Sequence, residues 1–130
     1  MFFNGEIYDS YSLIVDIIKE AKESITIIDN YIDENILKYL KKKNEKVKVI
    51  LMTSKKSKIS DIDIEKFNEQ YNGINIKYTN IFHDRFIIID NKTLYHLGTS
   101  LNYIGSKVFA INKIEDTDYI NLLLDKIKTE

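Results

Sequence analysis

The sequence predicts an α/β fold in which a mixed β-sheet is flanked by helices on both faces. Amphipathic stretches with helical spacing alternate with short β-branched runs, the pattern left by helices layered on a sheet. Two of the runs, HDRFIIID and TLYHLG, meet around Asp90-Asn91-Lys92 and read as a hairpin, which brings antiparallel pairing into the sheet. No internal repeat, linker or low-complexity segment interrupts the pattern, so residues 1–130 are expected to form one domain.

Residues 8–23 (YDSYSLIVDIIKEAKE) place Ile14, Ile17, Ile18 and Ala21 on one helical face. SITIID, residues 24–29, reads as a strand. Asp33 and Glu34 open a second helical stretch through Ile36, Leu37 and Leu40, with lysines at its end where they complement the helix dipole. KVKVILMT, residues 46–53, alternates and is β-branched, as a second strand should be. Ser60 is the expected N-cap of a helix whose face is Ile64, Phe67 and Tyr71, and Asn72-Gly73 is its stop. INIKYT, residues 74–79, is a third strand. After the hairpin, Thr99 or Ser100 begins a short turn or helix, and KVFAINKI, residues 107–114, resumes strand character. Asp116 or Thr117 then caps a last amphipathic helix carrying Ile120, Leu123, Leu124 and Ile127. The lysine runs at 41–43 and 55–58 read as a solvated helix end and a loop.

Composition narrows the possible functions. A chain of 130 residues can bury roughly two thirds of its unfolded surface in one core. A net charge of −1 argues against a broad, nonspecific nucleic-acid surface but leaves room for a local basic site. Without cysteine there is no disulfide, thiolate metal site or cysteine nucleophile. Two histidines are too few for an all-protein zinc site. No apolar run approaches the roughly 20 residues that cross a bilayer, and MFFNGEIYDS lacks the basic-then-apolar order of a signal peptide. A cytoplasmic protein with no membrane contact is expected. The richness in Lys, Ile, Asn and Tyr resembles the codon bias of an AT-rich genome, so a single lysine carries little information.

The chain's one arginine, Arg85, therefore stands out, two positions after His83. Strand alternation puts His83, Arg85, Ile87 and Ile89 on one face and Asp84, Phe86, Ile88 and Asp90 on the other. With Asn91-Lys92 as the centre of a tight turn, Asp90 pairs with Thr93, Arg85 faces Gly98, His83 faces Ser100 and His96 lies opposite Ile87. A three-residue turn or a bulge moves this pairing by one and brings Asn102 into question in place of Ser100. Such a patch suits phosphate. Arg supplies a forked cationic donor, Ser or Asn a neutral donor, and glycine a close backbone approach. A histidine among them can attack phosphorus or move a proton.

His83-x-Arg85-x-x-x-x-Asp90, followed by Gly98-Thr-Ser100-x-Asn102, resembles the HxKxxxxD…GSxN signature of the phospholipase D superfamily. A first helix, the strand SITIID, then NYID and a crossover are similar in order to that family's opening half. More narrowly, FHDRFIIID…YHLGTSLNYIG resembles a bacterial and phage branch in which the domain follows a DNA-binding module in antirepressor-like proteins; residues 1–130 hold no such module.

The resemblance implies a phospholipase D-like fold and a metal-independent phosphodiesterase, a nuclease or nucleotide phosphodiesterase. Two copies of the motif would meet across a two-fold axis, so a chain with one motif would work as a homodimer. Carried over by position, His83 is nucleophile or acid, Arg85 takes the phosphate-binding lysine's part, and Asp90, the motif's aspartate, supports the hairpin. Gly98, Ser100 and Asn102 join Arg85 as phosphate-binding positions. The chain departs from the pattern at Arg85, which replaces lysine, and at Ser100, which stands where ungapped counting puts the asparagine. Lys107 stands near where family enzymes carry a carboxylate that orients the histidine, and it adds a further candidate phosphate-binding cation. Glu115 and Asp116 come later along the chain, and Asp29 or Asp33, near the end of the first strand, could substitute as the carboxylate. These departures support an alternative: a phosphate- or nucleic-acid-binding regulatory module without turnover.

Overall fold

The computed structural model describes residues 7–98, 101 and 111–129. Its elements run α1 (Ile7–Glu20), β1 (Ser24–Ile28), α2 (Ile36–Leu40), β2 (Lys48–Thr53), α3 (Asp61–Gln70), β3 (Ile74–Tyr78), β4 (Arg85–Ile89), β5 (Thr93–Leu97), β6 (Ile111–Ile114) and α4 (Thr117–Lys128). The six strands form one sheet in the order β3-β2-β1-β4-β5-β6. β1, β2 and β3 pair parallel, whereas β4 pairs antiparallel with β1, β5 with β4 and β6 with β5, so the sheet is mixed as expected.

Both faces of the sheet are covered. Ile14, Ile17 and Ile18 of α1, Tyr39 and Leu40 of α2, and Ile64 and Phe67 of α3 pack on Ile25, Ile27, Val49, Leu51, Ile87 and Ile89. On the other face, Ile120 and Leu123 of α4 pack on Ile28, Met52, Phe86, Ile88 and Leu94. β1 and β4 are buried on both sides because they lie in the middle of a sheet with two covered faces. The expected caps form: Ser60 Oγ accepts from the Asp63 N–H at 3.2 Å, and the Asp116 carboxylate accepts from the N–H groups of Asp118 and Tyr119. Asn72 and Gly73 leave α3 through positive φ, and a Cβ added to Gly73 would meet the Val47 carbonyl oxygen at 2.9 Å.

Three expectations change. α1 ends at Glu20 rather than residue 23, because the N–H groups of Lys22, Glu23 and Ser24 turn away to the Asp90 carboxylate. Lys43 is not solvated with its neighbours: it is buried, with Nζ 3.5 and 3.4 Å from the carbonyl oxygens of Asn44 and Glu45. Burial lowers its pKa, only partly countered by the Glu45 carboxylate. The strand expected over 107–114 is described only as β6; residues 107–110 lie outside the described residues. Among the described residues no helix is long and apolar enough to cross a membrane.

Candidate functional site

The hairpin closes one residue earlier than a turn centred on Asn91-Lys92. Asp90 and Asn91 hold φ of 54° and 56°, and the Lys92 N–H donates to the Ile89 carbonyl at 3.0 Å. These are turn positions that Asp and Asn tolerate better than other residues with side chains. Ile89 therefore pairs with Thr93, Ile87 with Tyr95 and Arg85 with Leu97. The shift moves His96 opposite Phe86 instead of Ile87. Opposed residues share a face, so His96 belongs to the α4 side with Phe86 and away from the Arg85 side.

β4 begins at Arg85, so strand alternation does not govern His83 and Asp84. Rather than lying on opposite faces, both line an open groove of about 280 Å³ on the α4 side, with Phe82, Phe86, Tyr119, Leu122 and Lys126. His83 is exposed. The groove is largely apolar, and Lys126 Nζ stands 5.2 Å from the centre of the Phe82 ring. Asp84 faces the other histidine: its Oδ1 is 3.7 Å from His96 Nε2, and the His96 ring packs 5.4 Å from Phe86.

Arg85 is half-buried and its Nη2 donates to the Gly98 carbonyl oxygen at 3.1 Å. Gly98 is thus beside Arg85 as expected, reached through the side chain and not as its strand partner. Among the described residues the guanidinium has no carboxylate partner, and its buried Nε has no hydrogen-bond acceptor. Of the bonds its five N–H donors allow, it makes one among the described residues. Ser100, Asn102 and Lys107 lie outside the described residues.

Asp90 is placed differently. It stands at the far end of β4 from Arg85, where its carboxylate accepts from the N–H groups of Lys22 (3.1 Å), Glu23 (2.7 Å) and Ser24 (3.0 Å). Its own N–H donates to the Ser24 carbonyl at 2.8 Å. Burial alone would raise the Asp90 pKa, but the N–H groups of Ser24, Glu23 and Lys22, helped by the Lys92 ammonium, hold it below the ordinary carboxylate value. Asp90 supports the hairpin, and it does so through the chain that enters β1.

The carboxylates considered as partners for His83 have other bonds. Asp33 Oδ1 accepts from the Asn35 N–H at 3.0 Å, inside its own turn. Asp29 is fully buried and accepts from the N–H groups of Tyr31 (3.0 Å) and Leu101 (2.8 Å). Sequence reasoning missed Asn30, whose Nδ2 donates to the Phe82 carbonyl at 2.9 Å and so fixes the residue before His83. The only signal for it was its place directly after the first strand.

A family model described as "cardiolipin synthase, PLD-like domain" matches residues 14–115. The chain belongs to the phospholipase D-like domain family. The fold agrees with that of solved relatives. NucT from Helicobacter pylori superimposes with a TM-score of 0.72 at 17% identity, covering 98% of this chain and 91% of NucT. Nuc from Salmonella typhimurium, described as a phospholipase D family member, has a TM-score of 0.64 at 20% identity and covers 91% of this chain and 84% of its own. TrmBL2, described as an archaeal chromatin protein with a novel mode of DNA binding, has a TM-score of 0.60 at 16% identity; the match covers 95% of this chain and 48% of TrmBL2. No curated protein sequence matches the chain.

Proposed function

We propose that residues 1–130 act as one domain and form a phospholipase D-like phosphodiesterase, a nuclease or nucleotide phosphodiesterase that works as a homodimer in the cytoplasm without a metal or other cofactor. The observation that carries the reading is the Arg85 guanidinium. It is held by one carbonyl, lacks a carboxylate among the described residues, and stands two residues from an exposed histidine in a domain of this family. A guanidinium oriented at a strand end, with no carboxylate among the described residues, is a donor set suited to phosphate.

In the proposed reaction an imidazole nitrogen of one His83 attacks phosphorus. The bond to the leaving oxygen breaks, and the His83 of a second copy gives that oxygen a proton. The second imidazole, now neutral, takes a proton from water as the water oxygen attacks the phosphorus of the phosphohistidine; the P–N bond breaks and the first His83 is released. Arg85 balances the charge that builds on the non-bridging oxygens. Gly98, Ser100, Asn102 and Lys107 are the proposed further phosphate-binding positions, and Asp90 holds the hairpin on which the motif stands.

The test is cleavage of single-stranded DNA, RNA and a chromogenic phosphodiester in EDTA, with wild type and His83→Ala compared at equal concentration. Cleavage by wild type alone supports the reading, whereas equal rates overturn it. Sedimentation of the wild type across concentrations checks the dimer. A second reading, binding without turnover, is favoured by Arg85 in place of lysine and by Lys107 near the place of the carboxylate. It predicts thermal stabilisation by an oligonucleotide with no product, abolished in Arg85→Ala.

A further inference from the structure

Asp29 breaks the pattern of the strand it follows. Ile25, Ile27 and Ile28 are buried apolar residues, and the next position is as fully buried yet carries a carboxylate. A buried carboxylate is stable only with donors around it. Two of those donors are the N–H groups of Tyr31 and Leu101, at 3.0 and 2.8 Å. The backbone at Asp29 is fixed independently: its N–H donates to the Met52 carbonyl at 3.0 Å, and its carbonyl accepts from Thr53 Oγ1 at 2.7 Å.

The sheet brings three chain ends together here. β1 finishes where β4 begins, since the last pair in their antiparallel register is Ile28 with Phe86. β5 runs antiparallel to β4 and also finishes at this end, with Leu97 opposite Arg85. The segment leaving β5 carries Gly98, whose carbonyl holds Arg85, and three residues later Leu101, whose N–H is held by Asp29. In sequence, Leu101 lies between Ser100 and Asn102, the two candidate phosphate donors.

We propose that Asp29 is a positioning residue for the phosphate site: its buried carboxylate anchors the chain after β5 at Leu101 and thereby steadies Gly98, whose carbonyl holds the Arg85 guanidinium. This inference rests on the phosphodiester reading above and assigns Asp29 a task different from orienting His83. The carboxylate acts on backbone and does not touch substrate.

The test combines amide hydrogen exchange with binding of a fluorescein-labelled single-stranded oligothymidylate. In wild type the Leu101 amide is expected to exchange about ten- to hundredfold more slowly than an open loop amide, from one charge-assisted bond. An unprotected Leu101 amide in wild type overturns the proposal without any variant having to fold. In Asp29→Asn, Leu101 protection should fall while β2 and β3 amides stay protected, and oligonucleotide Kd should rise at least about tenfold. Thr53→Val removes the neighbouring bond to the Asp29 carbonyl but leaves the carboxylate, so its Kd should stay within about twofold at temperatures where it is folded. An Asp29→Asn protein that binds as wild type does overturns the positioning role alone. A wild type that neither binds nor cleaves the oligonucleotide overturns the phosphodiester reading, and the role of Asp29 in it falls too.

Discussion

The two ends of β4 carry opposite charges in opposite conditions. At one end the Asp90 carboxylate accepts from three successive backbone N–H groups of the α1–β1 connection. At the other, among the described residues, Arg85 makes one bond to a carbonyl and keeps an unaccepted Nε. The two charges lie five positions apart, yet one is satisfied by the fold and the other, among the described residues, is left with donors to give. A satisfied charge contributes to stability, whereas an unsatisfied one lowers stability slightly and is available to a ligand. The comparison predicts that changes at the two ends separate: one set alters function with little cost to the fold, the other does the reverse.

The largest effect is expected at the open end. His83→Ala should lower phosphodiester cleavage at least about a thousandfold, the scale on which a lost nucleophile or acid acts. Because His83 is exposed, stability should change by less than about 0.5 kcal/mol. Single-turnover assays with a denaturant melt on the same sample check both. Full activity in the variant would remove the motif's first residue from the chemistry. Next comes Arg85→Ala, which should weaken oligonucleotide binding about ten- to hundredfold through loss of charge-assisted bonds. Arg85→Lys should recover part of that affinity, since it restores charge without the forked geometry. Equal affinities for all three would mean that phosphate does not meet this guanidinium.

Asp90→Asn should reverse the pattern. One oxygen becomes a donor among donors, so stability falls by about 1–2 kcal/mol while cleavage per folded molecule is kept. The pH dependence follows from the direction of the shift. A carboxyl whose folded pKa is depressed contributes stability that is present above its unfolded value, near 3.8, and is lost as pH falls through the folded value. Wild type should therefore lose stability on acidification below about pH 4 more steeply than Asp90→Asn, as read by urea midpoints at stepped pH. Parallel curves would show that the clamp does not titrate with folding.

The same contrast explains what was legible in the sequence. The order of helices and strands could be read because each element has its own periodicity: Ile14, Ile17 and Ile18 declare one helical face, and Ser60 and Asp116 declare their caps. The hairpin's existence was equally local. Its register was not, because Asp90 enters the turn at positive φ while its carboxylate is held by N–H groups 66–68 residues earlier. No window around the turn contains that contact. The faces of His83 and His96 were misread, His96 from the register and His83 from a strand that starts only at Arg85, whereas Asp84 does lie on the Phe86 side as alternation suggested. Asp29 was visible as a carboxylate closing an apolar strand, but its partner Leu101 lies 72 residues away. Lys43 shows the converse limit, since a lysine in a run of three looks solvated until the chain folds over one of them.

The smallest expected effect concerns Asp84 and His96, which share the neighbourhood of the open end without sharing its proposed task. They stand 3.7 Å apart, and the Asp84 side chain is 62% exposed, so solvent screens the pair. A double-mutant cycle with Asp84→Asn and His96→Gln should give a coupling below about 1 kcal/mol at pH 6, shrinking further in high salt. His96→Gln should also leave cleavage within about twofold, because His96 faces α4 beside Phe86 while Arg85 faces the opposite side. A drop in cleavage as large as that of His83→Ala would break the division drawn here. It would mean that the Asp84–His96 pair, beside the groove that His83 lines, takes part in the reaction and that the working surface extends along β5 on the α4 side.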